Sequence, residues 1–225
     1  MFADPDNRTL VKICGITNLE DARFVSGALA DYVGFIFYPK SPRYIEPAKA
    51  GAIINWIEGP QKVGVFVNQP LDDVQSIATQ TGLDYVQLHG EESAEYCELI
   101  DKPVIKVFHV DSDTSPDDLK IAIKPYIEHV DFLLFDTKLP GKWGGTGTPF
   151  NWDLLREVSE IKPYFLSGGL HAGNVRSAIK ATHPYAVDLS SGVEESSPGL
   201  KDFTKIEEFF ETMRDVWDDQ EIGEL

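Results

Sequence analysis

Residues 163–195 read PYFLSGGLHAGNVRSAIKATHPYAVDLSSGVEE and contain one kind of unit twice. Tyr164-Phe165-Leu166-Ser167 is a short apolar run stopped by Gly168-Gly169, and Val175, Ala178 and Ile179 then recur at helical spacing. After His183-Pro184 a second apolar run, Tyr185 to Leu189, meets a second turn of small residues, Ser190-Ser191-Gly192, with Val193-Glu194-Glu195 able to begin a short helix. Small residues let a ligand approach the main chain, and N–H groups at a helix start carry partial positive charge, so two such turns in succession suit a phosphate. In eight-fold α/β barrels the loops after strands seven and eight often supply that site.

The rest of the chain repeats the alternation. Strands are expected at Leu10–Cys14, Tyr32–Phe37, Lys62–Val67, Asp84–His89, Val104–Phe108 and Asp131–Asp136. Helices are expected from Thr17-Asn18-Leu19-Glu20, read as a capping box, through Ala30, then at 46–57, 71–81, 93–100, within 115–128, at 151–161 and at 202–213. Residues 137–150 form a glycine-rich loop longer than ordinary connections of this kind. Eight strands alternating with eight helices imply parallel pairing through crossover helices, and closure into a single (β/α)8 barrel spanning 1–225 is the economical outcome, with an open doubly wound sheet as the alternative. The acidic end, 215–225, is expected to be mobile.

The 225 residues, 42% of them apolar, suffice for a full core, and nothing resembling a linker divides them. A formal charge of −17 opposes nucleic acid and anionic membrane as partners and leaves a small molecule as the expected ligand. No apolar run approaches the roughly 18 residues of a membrane span, and the first residues lack the basic and apolar parts of a signal peptide, so a cytoplasmic protein is expected. Cys14 and Cys97 make neither a metal motif nor a disulfide framework. Monomer and homodimer are equally compatible with the pattern.

A barrel places its chemistry where the strands end. Alternation puts Lys12 and Cys14 on one face of the first strand and Val11 and Ile13 on the other, so the lysine and the thiol face the barrel interior if the aliphatic pair lies under helices. A free cysteine is more often a small buried hydrophobe than a reagent, but a neighbouring ammonium group favours its thiolate. By the same parity Asp136 ends an inward row with Phe132 and Leu134; a helix cap or loop anchor is its bland role. Together a thiolate and a carboxylic acid form a base and acid pair for moving a proton. His89 and His109 are read first as hydrogen-bonded scaffold, and no His, Cys and Asp set has metal-ligand spacing along the chain. Arg43, stiffened by Pro42, could clamp a carboxylate through two parallel bonds.

The segments Lys12-Ile-Cys-Gly15, Val33-Gly-Phe-Ile-Phe-Tyr38, Lys40-Ser-Pro-Arg-Tyr44, Val63-Gly-Val-Phe-Val-Asn68, Val86-Gln-Leu-His-Gly90, Gly144-Gly-Thr-Gly147, Ser167-Gly-Gly-Leu170 and Asp188-Leu-Ser-Ser-Gly-Val-Glu194 resemble the phosphoribosylanthranilate isomerase family of tryptophan biosynthesis. The likeness runs in order from about Val11 to Phe210, departing at Ser167, where alanine is common, and Leu189, where valine is common.

The resemblance implies an Amadori rearrangement of N-(5-phosphoribosyl)anthranilate, without metal or other cofactor. It implies Asp136 as general acid at the ribose ring oxygen and Cys14 as general base at C2. Arg43 would meet the anthranilate carboxylate, and Gly168, Gly169, Ser190, Ser191 and Gly192 would grip the phosphate. Gln87 and Asp188 would have sugar-hydroxyl or positioning roles. Two rivals stand beside this reading. A related histidine-pathway isomerase would use aspartates for both proton transfers, and a silent phosphate-binding barrel would bind phosphosugars without converting them.

Overall fold

The computed structural model describes residues 8–111, 113–137, 154–155, 158 and 160–223. Its frame is a closed barrel of eight parallel strands in chain order. The strands are β1 (Leu10–Cys14), β2 (Tyr32–Ile36), β3 (Gln61–Phe66), β4 (Tyr85–Leu88), β5 (Val104–Val110), β6 (Phe132–Thr137), β7 (Tyr164–Leu166) and β8 (Ala186–Leu189). The helices are α1 (Leu19–Gly27), α2 (Pro47–Ile54), α3 (Leu71–Thr81), α4 (Ala94–Glu98), α5 (Pro116–Ile123), α6 (Ala172–Thr182) and α7 (Phe203–Glu221). The expected glycine-rich loop and most of the expected 151–161 helix lie outside the described residues.

Strand alternation divides the core into two apolar layers. Val11, Ile13, Val33, Phe35, Leu133 and Phe135 face outward and pack with helix residues such as Val25, Val175 and Phe209. Leu10, Tyr32, Val63, Ile105, Leu134, Phe165 and Ala186 face inward. The parity expected for β1 and β6 therefore holds.

A repeated device organises β2, β4 and β6. Asp31-Tyr32, Asp84-Tyr85 and Asp131-Phe132 each put a carboxylate immediately before a strand and an aromatic ring at its first position. The carboxylates of Asp31, Asp84 and Asp131 accept the backbone N–H groups of Val11, Lys62 and Val104 on the preceding strand, each at 2.8 Å. These contacts pin strand register at the amino-terminal rim. The rings then fill the floor: Tyr32 lies 5.6 Å from Tyr85 and 5.3 Å from Phe165, and Phe132 lies 5.5 Å from Phe165 and 4.8 Å from Tyr185, centroid to centroid. An aromatic floor leaves the opposite end of the barrel for chemistry.

Two local expectations are corrected. Asn18, not Thr17, caps α1: its side chain accepts the Asp21 N–H, while the Thr17 hydroxyl donates to the Gly199 carbonyl. Asparagine caps as well as threonine does, and the tertiary bond to Gly199 removes Thr17 from the competition. The helix expected to end at Met213 runs longer, because α7 continues through Glu221 and takes in residues 215–221. Val216 is buried in the outer layer, Trp217 Nε1 donates to the Thr9 carbonyl at 2.8 Å, and Gln220 both accepts from and donates to Thr9. Arg176 on α6 pairs with Asp219. One apolar face carries the helix; its acidic face is only the solvent side.

Asp84→Ala removes a charged acceptor from a strand-end N–H. It is expected to cost about 1–3 kcal/mol, read as a lower midpoint in urea unfolding at unchanged slope.

Candidate active site

Because all strands are parallel, Cys14, the last residue of β1, and Asp136, next to last in β6, emerge on the same rim. Their strands are three places apart around the ring, so the two side chains face each other across the mouth. Both are buried. Cys14 sits against Gly34, its register partner on β2. A Cβ at Gly34 would lie 2.7 Å from Cys14 Sγ, so glycine is what makes room for the thiol.

Lys12 projects into the barrel with 0% exposure and donates to Asp188 Oδ1 at 2.8 Å. Burial works to lower the lysine pKa, but the Asp188 carboxylate holds the group above its ordinary value, so it is an ammonium. The expectation that this ammonium favours thiolate holds only in part. Burial pushes the Cys14 thiol up, and the opposing pull of Lys12 and Lys201 is the smaller effect. At rest Cys14 is a thiol that becomes a strong base once ionised.

Asp136 lies beside two histidines that the sequence left as scaffold. Its Oδ2 is 3.8 Å from His89 Nε2, and the rings of His89 and His109 meet edge to face at 4.9 Å. Burial, then His109, Lys12 and Lys106, hold the His89 pKa down to about 3. Neutral His89 therefore offers Asp136 no countercharge. Gln87 is buried beneath them, with Nε2 3.3 Å from His89 Nδ1 and its carbonyl oxygen without a partner among the described residues.

His89, His109 and Asp136 bring donor atoms within 4.8 Å of one another, a grouping that chain spacing did not disclose. The two ammonium groups acting on His89 oppose a cation there. Behind this side of the mouth Lys106 donates to the carbonyls of Leu88 and Gly90 and to Glu92, fixing the end of β4 that carries His89.

On the other side the Arg43 fork is already engaged. Nε donates to Glu194 Oε1 at 2.8 Å and Nη2 to Oε2 at 2.7 Å, so Nη1 takes no part in this pair. Gly15 lies under this arginine, with a hypothetical Cβ 2.7 Å from Arg43 Cδ and 3.3 Å from Ser190 Oγ. Arg43, Cys14 and the turn after β8 are thus neighbours.

The two glycine turns also meet. Gly168 and Gly169 adopt φ of 96° and 68°, which favour glycine, and α6 begins just beyond them. His171 caps that helix in a reciprocal box with Asn174, whose amide also donates to the Gly169 carbonyl at 2.9 Å. A Cβ on Gly192 would fall 1.9 Å from the Leu170 carbonyl oxygen, so only glycine lets the turn after β8 close on the turn after β7. The Ser190 hydroxyl is buried there without a partner among the described residues.

A family profile described as N-(5'-phosphoribosyl)anthranilate (PRA) isomerase matches residues 11–212. The chain belongs to the phosphoribosylanthranilate isomerase family. It is 46% identical over 200 residues to N-(5'-phosphoribosyl)anthranilate isomerase of Geobacter metallireducens, covering 88% of this chain and 96% of that one. The crystal structure of phosphoribosyl anthranilate isomerase from Thermotoga maritima superposes with a TM-score of 0.84 at 44% identity, covering 92% and 99% of the two chains. A phosphoribosyl anthranilate isomerase solved in complex with reduced 1-(o-carboxyphenylamino)-1-deoxyribulose 5-phosphate gives a TM-score of 0.80 at 41% identity, covering 92% of this chain and 99% of that one.

Within this barrel, sequence reasoning missed the roles of Glu194, Lys201, Gly34 and the Lys106–Glu92 pair. Sequence separation hid the partners: Lys106 meets Glu92 14 residues away, and Lys201 meets the Cys14 carbonyl 187 residues away.

Two measurements check the site. Cys14 reacts only as thiolate, so its alkylation in the ligand-free protein is expected to rise at a pH above the ordinary thiol range; Lys12→Met moves the rise higher still, and an unchanged profile refutes the lysine's influence. Gly34→Ala drives a methyl into Sγ and is expected to lower kcat by roughly a hundredfold through misplacement, measured at saturating substrate.

Proposed function

We propose that this barrel converts N-(5-phosphoribosyl)anthranilate to 1-(2-carboxyphenylamino)-1-deoxyribulose 5-phosphate in tryptophan biosynthesis, in the cytoplasm, as a cofactor-independent aldose–ketose isomerase. Membership of the family supports the reaction. The supporting geometry is a thiol and a carboxyl facing each other across one barrel mouth, beside an arginine and two joined glycine turns.

In this reading the phosphate rests on the turns at Gly168-Gly169 and Ser190-Ser191-Gly192, with the Ser190 hydroxyl, which has no partner among the described residues, as an additional donor. Arg43, through Nη1, takes the anthranilate carboxylate. Asp136 gives its proton to the ribose ring oxygen; the C1–O bond breaks and the anilino nitrogen lone pair forms an iminium. That cation makes the C2–H acidic and favours loss of the Cys14 thiol proton to solvent, which leaves the thiolate close by. The thiolate takes the C2 proton, the C–H electrons form the enolamine, and tautomerisation gives the ketone. Neutral His89 and buried Gln87 line the acid's side, and Asp188 keeps Lys12 charged beneath the base.

Loss of anthranilate fluorescence in a steady-state assay tests the proposal, with the histidine-pathway substrate run in parallel. Turnover of the first compound alone supports the reading; a chain that turns over only the second, or neither, overturns it. Cys14→Ala and Asp136→Asn are each expected to lower kcat by about 10²–10⁴-fold with KM little changed, as positioned proton transfer requires. Gly192→Ala, which must part the two turns, is expected to weaken inhibition by inorganic phosphate, measured as a raised inhibition constant.

A further inference from the structure

Lys201 lies outside every motif of the sequence, in the segment leading into α7, yet it is 3% exposed and its side chain points back beneath the mouth. Its Nζ donates to the Cys14 carbonyl at 2.7 Å, to the Ser190 carbonyl at 3.3 Å and to Glu194 Oε1 at 3.1 Å. An ammonium has three N–H donors, and here each has a different acceptor. Glu194 in turn holds the Arg43 fork and accepts the Gly199 N–H, and the Lys201 backbone N–H is anchored on Asp21. The base, the phosphate turn and the carboxylate clamp come from sequence positions far apart, and they share this one cation.

We propose that Lys201 is a positioning residue for the isomerisation: its buried ammonium sets the end of β1 that carries Cys14, the turn at Ser190 and, through Glu194, the Arg43 guanidinium. This inference rests on the function proposed above. A neutral side chain of similar length would take this donor from the Cys14 carbonyl, leave the Ser190 carbonyl with Val193 N–H and leave Glu194 Oε1 with Arg43 Nε and Gly199 N–H, so the tie between the three parts would be lost. The ammonium also acts on the thiol. The charged groups facing Cys14 are Lys12, Asp188, Lys201 and Arg43, and those facing Lys201 are Glu194, Cys14 and Arg43. Loss of Lys201 therefore removes one of the cations that favour thiolate.

The test compares the wild type with Lys201→Met, Glu194→Gln and Asp84→Ala. The readouts are kcat, KM, thermal midpoint and the pH midpoint of iodoacetamide alkylation at Cys14, read by peptide mass and requiring no turnover. Lys201→Met is expected to lower kcat by roughly ten- to a hundredfold through misplacement of reacting groups and to move Cys14 alkylation to higher pH. Glu194→Gln is expected to raise KM more than it lowers kcat, because it loosens Arg43 while leaving the lysine on its two carbonyls. Asp84→Ala, at the opposite rim, loses stability with wild-type kcat and alkylation, which separates instability from positioning. If Lys201→Met does not fold, Lys201→Gln is measured in its place with the same expectations. Wild-type alkylation together with wild-type kcat in the Lys201 variant, on an active parent, overturns the inference. An inactive parent overturns the function instead, and the alkylation shift then still reads the lysine's action on Cys14.

Discussion

The seam between β8 and β1 is the constraint on which the molecule depends. The register there sets Lys12 opposite Asp188, and the two side chains form an ion pair inside the barrel. A buried pair gives little net stability, because taking two charges out of water offsets much of their attraction. Its consequence is selectivity. Closing the barrel one residue out of register would turn Lys12 or Asp188 outward and leave its partner charged and alone in the interior, which costs several kcal/mol. Correct closure then brings the end of β1, with Cys14, beside the turn at Ser190.

The two ends of the barrel divide the work by polarity. At the amino-terminal end carboxylates hold strand starts from outside while aromatic rings fill the interior, so that end is dry and fixed. At the mouth each side is supported from behind by a buried lysine and glutamate: Lys106 with Glu92 under His89, and Lys201 with Glu194 under Cys14 and Arg43. Both lysines spend donors on strand-end carbonyls that parallel strands leave open. These pairs also bear on the charge. Against a formal −17 for the chain, Arg43 and Lys201 with the single carboxylate of Glu194 leave one net positive charge at the place where an anionic ligand would enter.

Several elements were readable because their causes are local. The 71–81 helix has the bounds its spacing predicts, closed by Gly82 in the left-handed conformation. The strand faces followed from parity alone. The errors are equally physical. Thr17 and Asn18 are equivalent as caps until Gly199, far along the chain, takes the threonine hydroxyl. The spacing ends the last helix at Met213, and only the contacts of Val216, Trp217 and Gln220 with the core and Thr9 carry it on through Glu221. Arg43 was legible as a carboxylate clamp, but its bidentate edge is taken by an internal carboxylate, a pair in which Nη1 takes no part.

By itself the sequence determined the alternation of strands and helices, the inward parity of Lys12, Cys14 and Asp136, the small-residue turns and the family to which these belong, because periodicity and turn chemistry act over a few residues. Only the tertiary structure decided which charges neutralise one another, that burial outweighs the lysine at Cys14, that His89 is neutral beside Asp136, and that Lys201 lies under the base. Those outcomes depend on desolvation and on distances between residues brought together by closure, and neither quantity exists until the barrel has formed.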